Sequence, residues 1–334
     1  MGEIDYTIVI CAYNPDERIL KRCLDAIQNL DVEGIEIEVI LVDNNSQNPI
    51  DCLPYMRDYL KKIPSLKIIL VGQQGVKYAR IAAIDRAKGK YTVYIDYDNE
   101  PTADYLRKLK SLNDQYPKVA AWGPGEIAVD FIDGIDKKIE DYARTAFQER
   151  HDTTIKFASL PEWQSCYPFG TGLCTLTFLL KEYNNLARRG KFTLQGRKAN
   201  LLTSGEDTQM VLLCIYNGYF AGVSPTLKIR HIIPEARANY QYLKKLAYGT
   251  GMAYETSMLQ VFPEYSEKLQ AGLLSRSKFT RRVIKKYVAA KMSADPFKVL
   301  ELTNFIAANA SAYVALDKPI PPLVKKIIQE LNLV

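Results

Sequence analysis

Histidine is scarce in this chain: His151 and His231 are the only two among 334 residues. That excludes a multi-histidine zinc site. The six cysteines, Cys11, Cys23, Cys52, Cys166, Cys174 and Cys214, show no CxxC spacing. Neither a zinc ribbon nor a paired-cysteine redox centre is expected, and several of these thiols read as small buried hydrophobes in a reducing cytosol. No run of about 18 apolar residues exists, so no membrane-spanning helix is expected. There is no GxGxxG and no Walker sequence, which argues against classical dinucleotide and P-loop sites. Zinc-finger and RNP-type signatures are missing too, and the net charge of +6 is modest. Nucleic acid is therefore not an expected partner. The acidic N-terminus enters a strand almost at once, so it does not read as a signal peptide, and Tyr6 spoils the lipidation pattern after Gly2. A cytoplasmic location is expected.

What is present is ordinary for a globular protein: 47% hydrophobic and 25% charged residues. The first half alternates β-rich runs with helical patterns. Strands are predicted at 6–12, 35–42, 66–71 and 91–95. Helical patterns are predicted after the first strand, at 76–87, and at 102–109 with Thr102 as N-cap. This alternation argues for βαβ units and a mostly parallel sheet, with Ala12, Asp43 and Asp96 along one edge. The middle, about 118–235, is dense in turn formers such as Gly123-Pro124-Gly125 and reads as less regular. From about 236 onward helical patterns dominate.

The stretch Tyr94-Ile95-Asp96-Tyr97-Asp98-Asn99-Glu100-Pro101 is the most informative. A hydrophobic strand runs into two carboxylates spaced i, i+2, which share a side of the chain. Past the carboxyl end of a strand, such a pair suits Mg²⁺ or Mn²⁺ carrying a diphosphate. A plain turn is the competing reading, because Asp and Asn are common turn formers. Two further strand ends carry polar groups, Cys11-Ala12-Tyr13-Asn14-Pro15 and Val42-Asp43-Asn44-Asn45-Ser46. Asp43 read alone is a turn residue or a helix cap. Lys77 and Arg80 lie three apart on a predicted helix and could face a diphosphate together, or simply meet solvent.

The order of these segments resembles family 2 glycosyltransferases of the GT-A fold. An early Tyr-Asn strand end and a Val-Asp-Asn-Asn-Ser turn come first. Then follow a Gly75-to-Arg80 helix start and a strand ending in a DxD-like Asp96-Tyr97-Asp98. Downstream, Phe169-Gly170-Thr171-Gly172-Leu173 is similar to the family's acceptor-side glycine segment, and Ser204-Gly205-Glu206-Asp207 to its GED motif. Leu227 through Pro234 is similar to its later His segment. The chain departs from the family in Ile81 after Arg80, in Tyr97 between the aspartates, and in Asn99 where an acid is frequent.

The resemblance implies an α/β, GT-A-type, mostly parallel sheet flanked by helices. It implies a glycosyltransferase domain at 1–240, with 1–117 holding the nucleotide sugar and 118–240 the acceptor and catalytic half, and a helical region at 241–334. Asp43 would bond the base or ribose, walled by Ala12, Tyr13 and Asn14. Arg80 would lie near the diphosphate. Asp96 would meet the ribose or a metal-bound water, Asp98 would ligate Mn²⁺ or Mg²⁺, and His231 would reach metal or diphosphate. Asp207 matches the family's catalytic base, with Glu206 beside it in an acceptor-facing or supporting role and Gly172 in the acceptor segment. The expected reaction is inverting transfer from a nucleotide-diphosphate sugar, UDP-linked by family habit, to a glycan or lipid-linked acceptor.

Simpler readings stand beside these. Asp207 could be an N-cap, His231 structural, and Trp163, a candidate for stacking on an acceptor sugar, a packing residue. A catalytically silent member of the same fold is an alternative function. A nucleotidyltransferase is a weaker one, because Ala12 through Glu17 is acidic where a triphosphate loop would be basic. Finally, 276–291 is strongly basic, with Phe279, Val283 and Tyr287 every four positions. The segment reads as a packed helix with a solvated basic back, or as a peripheral membrane contact.

Overall fold

The computed structural model describes residues 3–194, 196, 202–293 and 295–334. The chain opens with strand β1 (Tyr6–Ala12), buried almost throughout, as suits a strand covered on both faces. Helix α1 (Glu17–Gln28) begins where the Asp16 side chain accepts the Arg18 N–H, and it buries Ile19, Leu20, Cys23, Leu24 and Ile27. Then follow β2 (Ile37–Asp43), α2 (Met56–Lys62), β3 (Leu66–Leu70), α3 (Val76–Arg86) and β4 (Tyr91–Tyr94). These four strands are parallel, in the order β3-β2-β1-β4. Ala12 lies opposite Asp43 in the ladder, so two of the three polar strand ends share one edge.

The chain then turns back. Residues Asn99–Pro101 form a short strand, β5, before α4 (Tyr105–Gln115). The expected start at Thr102 is corrected: Asp104 precedes the helix, and the Thr102 hydroxyl bonds its carboxylate at 2.8 Å. The cause is β5, which keeps the backbone extended through Pro101.

The middle is more regular than its turn formers suggested. Two long strands run through it, β6 (Val119–Phe131) and β10 (Phe220–Ile233). Gly123-Pro124-Gly125 lies inside β6, not in a turn. Its partner strand compensates with a register shift between Ser224 and Lys228, the kind of irregularity that lets proline sit in a sheet. Gly125 is needed there, because a Cβ would come within 2.7 Å of the Ser224 backbone. Between these strands lie α5 (Glu140–Ala146), β7 (Arg150–His151), β8 (Lys156–Ala158), β9 (Cys174–Leu176), α6 (Thr177–Arg188) and α7 (Glu206–Tyr216). The sheet continues β4-β9-β6-β10-β5, with β9 antiparallel to both neighbours.

Helices α8 (Tyr240–Val261), α9 (Tyr265–Gly272), α10 (Arg276–Lys291), α11 (Pro296–Ala315) and α12 (Pro322–Glu330) complete the chain. Two cores line the faces of the sheet. A third lies among the C-terminal helices. Phe279 and Val283 of α10 are fully buried in it, so the apolar stripe of that helix is a packing face. The membrane-facing version of that stripe is corrected accordingly: burying Phe279 against Phe305 and Tyr313 removes it from any lipid. No described helix is long and apolar enough to cross a membrane. The α/β expectation with a helical C-terminal region is met.

Candidate active site

A cavity of about 740 Å³ opens beyond the carboxyl ends of β1 and β4, the usual ligand position in α/β sheets. Cys11, Ala12 and Tyr13 form its wall on the β1 side, with Gln74, Gly75 and Val76 at the start of α3. Asn44 ties these loops together. Its Oδ1 accepts the Gly75 N–H at 2.7 Å, and its Nδ2 donates to the Gln73 carbonyl at 2.8 Å.

Asp43 itself is not in the cavity wall. Its two carboxylate oxygens accept the Ser46 and Ile50 N–H groups at 2.9 Å each, and it is buried. That is the turn-organising reading. Each oxygen keeps a second lone pair, so the expected bond to base or ribose stays open to it. Asn14 is likewise outside the wall: its N–H donates to Ser46 Oγ and its Oδ1 accepts the Gln47 N–H. It sits at φ 42°, a left-handed conformation that asparagine tolerates. Lys77 also departs from expectation. Its Nζ donates to the Phe192 carbonyl at 3.0 Å, so it does not face the cavity beside Arg80.

Arg80 is buried on the cavity floor, its guanidinium 4.9 Å from the Tyr94 ring centroid. Its Nη1 lies 3.1 Å from Glu206 Oε1, and its Nη2 lies 3.7 Å from Asp96 Oδ1. Burial alone would weaken its hold on the proton, but the Glu206 and Asp96 carboxylates more than reverse that. One guanidinium thus braces two acids from different segments.

Asp96 and Asp98 part company. The backbone after Tyr94 leaves the strand geometry, and β5 then pairs antiparallel to β10 with Asn99 opposite His231. The Asp98 carbonyl accepts the Ile232 N–H at 2.8 Å. Asp98 is thereby carried to His231 and away from Arg80. Its Oδ2 lies 3.6 Å from His231 Nε2, and Arg237 Nη1 closes on that same oxygen. Burial would raise the Asp98 carboxyl, but the Arg237 guanidinium and then His231 hold it well below the usual carboxylate range. His231 Nδ1 faces the Phe147 carbonyl at 2.8 Å.

The donor chemistry suits a hard divalent ion: one carboxylate oxygen and one imidazole nitrogen, held by a backbone ladder. Two ligands about 2.1 Å from one ion lie roughly 3–3.7 Å apart, and the observed 3.6 Å falls within that span. The residues fit an ion once Arg237 withdraws. Among the described residues no group of three or more His, Cys, Asp or Glu is arranged to hold a metal, so the remaining positions would fall to substrate and water.

Asp207 lies in the first turn of α7. Its Oδ2 accepts the Gly170 N–H at 3.1 Å, and its Oδ1 the Thr208 N–H at 2.8 Å. The N-cap position is held by Gly205, so Asp207 is not the cap, and its carboxylate lines the cavity. Gly172 points elsewhere. Tyr105 Oη donates to its carbonyl, and a Cβ there would strike Ile229. The glycine that matters to the cavity is Gly170. Trp163 does line the cavity, stacked on Phe169 at 6.4 Å between ring centroids.

Apart from Arg237 over the Tyr242 ring, the wall on the C-terminal side carries no charge, with Tyr142, Thr145, Thr250 and Asn304. Arg237 and this C-terminal wall escaped sequence reasoning, while Asn44 and Gly170 stood there only as members of their motifs. Arg237 sits in a turn between β10 and α8 with no motif around it.

The family model described as Glycosyl transferase family 2 matches residues 7–170. Over those residues, just under half of its length, the chain is identified with glycosyl transferase family 2. Every β1-to-β4 feature of the cavity lies inside that match, whereas Asp207, His231 and Arg237 lie beyond it. An N-acetylglucosaminyltransferase of Rhizobium meliloti (strain 1021) is 24% identical over 253 residues, covering 70% of this chain and 52% of that protein. One of Bradyrhizobium elkanii is 32% identical over 105 residues, covering 31% of this chain and 57% of that protein. The chain spans about half the length of the curated relatives it matches. Among solved structures, S. aureus TarS 1–349 in complex with UDP-GlcNAc aligns with TM-score 0.48 at 14% identity, over 94% of this chain and 93% of that one. The mannosyltransferase PcManGT from Pyrobaculum calidifontis, in complex with GDP-Man and Mn²⁺, aligns with TM-score 0.49 at 18% identity, over 99% and 81%.

Proposed function

We propose that this family 2 member transfers a sugar, with inversion, from a nucleotide-diphosphate sugar to an acceptor hydroxyl. The observation that carries this reading is convergence. Asp96, Asp98, His231, Arg80 and Asp207 come from separate segments and meet at one cavity past the strand ends. The N-acetylglucosaminyltransferase names of the relatives support N-acetylglucosamine as the sugar, and uridine diphosphate is the first nucleotide to try. A relative named succinoglycan biosynthesis protein ExoO, 29% identical over 132 residues, supports a role in polysaccharide or glycan synthesis.

The charged groups divide the labour. The wall of Ala12, Tyr13 and Asn44 receives the nucleoside. Asp98 and His231 would hold a divalent ion, which when bound supplies countercharge to the leaving diphosphate. Arg80 pairs with Asp96 and Glu206 and holds both in place. Asp207 takes the proton of the acceptor hydroxyl, with Gly170 N–H holding one of its oxygens so that the other can turn to the acceptor. With one base and no enzyme nucleophile, the incoming oxygen displaces the diphosphate directly and the anomeric configuration inverts, by the logic of inverting glycosidases. The uncharged, aromatic far wall suits a neutral sugar or glycan acceptor.

Thermal melting with Mn²⁺ and a panel of sugar nucleotides tests the donor; UDP-N-acetylglucosamine should raise the Tm most. Asp207→Asn should keep that stabilisation and lose at least about a hundredfold in transfer, the weight of a general base. Donor binding without transfer or hydrolysis in the native protein would instead identify a silent member of the fold.

A further inference from the structure

Two electron-pair donors at the ion end of the cavity face one guanidinium. His231 Nδ1 meets the Phe147 carbonyl at 2.8 Å. A carbonyl only accepts, so Nδ1 carries the hydrogen and the Nε2 lone pair is left to point inward. It points at Arg237 Nη2, 3.5 Å away. Asp98 Oδ2 contacts Nη1 of the same group, while Oδ1 accepts from Asn99 Nδ2 at 3.1 Å. Both protein donors that suit a divalent ion are therefore capped by a single positive charge. Asp98 is buried, and a carboxylate so desolvated needs a cation beside it. The guanidinium is held by two rings, 5.4 Å from the Phe147 centroid and 5.8 Å from that of Tyr242. Yet the Arg237 Nε is buried with no hydrogen-bond partner. The arm neutralises the site while leaving its Nε–H unsatisfied, as a residue with a second position would.

We propose that Arg237 is an internal counter-ion occupying the divalent-cation position, so that ion and guanidinium compete for Asp98 and His231. The proposal rests on the metal-assisted reading above. It has a thermodynamic corollary. A displaced guanidinium needs another anion, and a nucleotide diphosphate entering the same cavity supplies one with matching geometry. Ion and nucleotide then favour one another through Arg237, because each is bound best when the arm has moved. The residue makes the empty site stable and the loaded site dependent on both ligands arriving.

The test is Mn²⁺ binding followed by electron paramagnetic resonance, which reads free ion directly and needs no turnover. Without nucleotide, Arg237→Gln should bind Mn²⁺ at least about tenfold tighter than the native protein, since it removes one charge of a close buried pair. UDP should strengthen Mn²⁺ binding in the native protein and do so much less in the variant. Adding Asp98→Asn should abolish the gain, placing the ion at this pair. Should Arg237→Gln fail to fold, Arg237→Lys, whose compact ammonium cannot span both donors, should still bind Mn²⁺ more tightly than the native chain. Equal affinity in the native protein and a folded variant overturns the competition while leaving the metal reading intact. No Mn²⁺ binding by any form, with or without UDP, overturns both.

Discussion

Gly170 decides where the Asp207 carboxylate can sit. Its N–H holds Oδ2, and a Cβ on it would stand 2.7 Å from that same oxygen. Gly170→Ala must push the carboxylate aside, so transfer should fall by about tenfold or more, as a displacement near 1 Å costs, with little change in the Tm or in donor-induced stabilisation. A steady-state rate beside a melting curve checks it. Asp98 governs a different property. Its folded-state carboxyl is held below the usual range by Arg237 and His231, against the pull of burial. Stability from that pairing is complete above the unfolded carboxylate value near 4 and is lost as pH falls below it. The urea midpoint of Asp98→Asn should therefore trail the native one most at neutral pH, and the gap should close below about pH 4. At this scale the meeting of Arg80, Asp98, Glu206 and Asp207 at one cavity was legible because motif order places them together. Asp43 and Asn14 lie outside the cavity wall with backbone N–H groups on their side-chain oxygens, a placement that only the fold shows.

Helix α8 ties the chain together. It begins at the boundary expected at 240/241, yet Leu243 and Leu246 pack with Val129 and Ile233 at the ends of β6 and β10. Farther along, Met258 and Val261 join the core under the sheet, and Tyr248 joins the C-terminal core. The same helix gives Tyr242, Leu246 and Thr250 to the cavity wall. A fragment ending at residue 239 should consequently lose its cooperative thermal transition by circular dichroism; a sharp melt within a few degrees of the full chain would show α8 to be dispensable. The periodicity of α10 was readable as an apolar stripe with a basic back, but the stripe's destination was not. A sequence shows that Phe279 and Val283 share a face, not that α11 covers it.

At the scale of the molecule, the alternating first half announced its parallel sheet, since period-two and helical patterns are local properties. The middle of the chain did not announce β6, because glycine and proline in Gly123-Pro124-Gly125 mimic a turn, nor its long partner β10. Only long-range pairing makes them strand residues. The three-residue strand β5 has the widest reach. It sets Asn99 opposite His231, so backbone pairing brings the Asp98 and His231 segments together before their side chains meet. Such a ruler tolerates drift in neighbouring side chains and forbids a change in length. One residue gained or lost between Asp98 and Pro101 would turn the aspartate to the opposite side of the strand. The loops around the cavity are free to vary from one descendant to the next, while the pairing that brings these two charges together is inherited with the sheet.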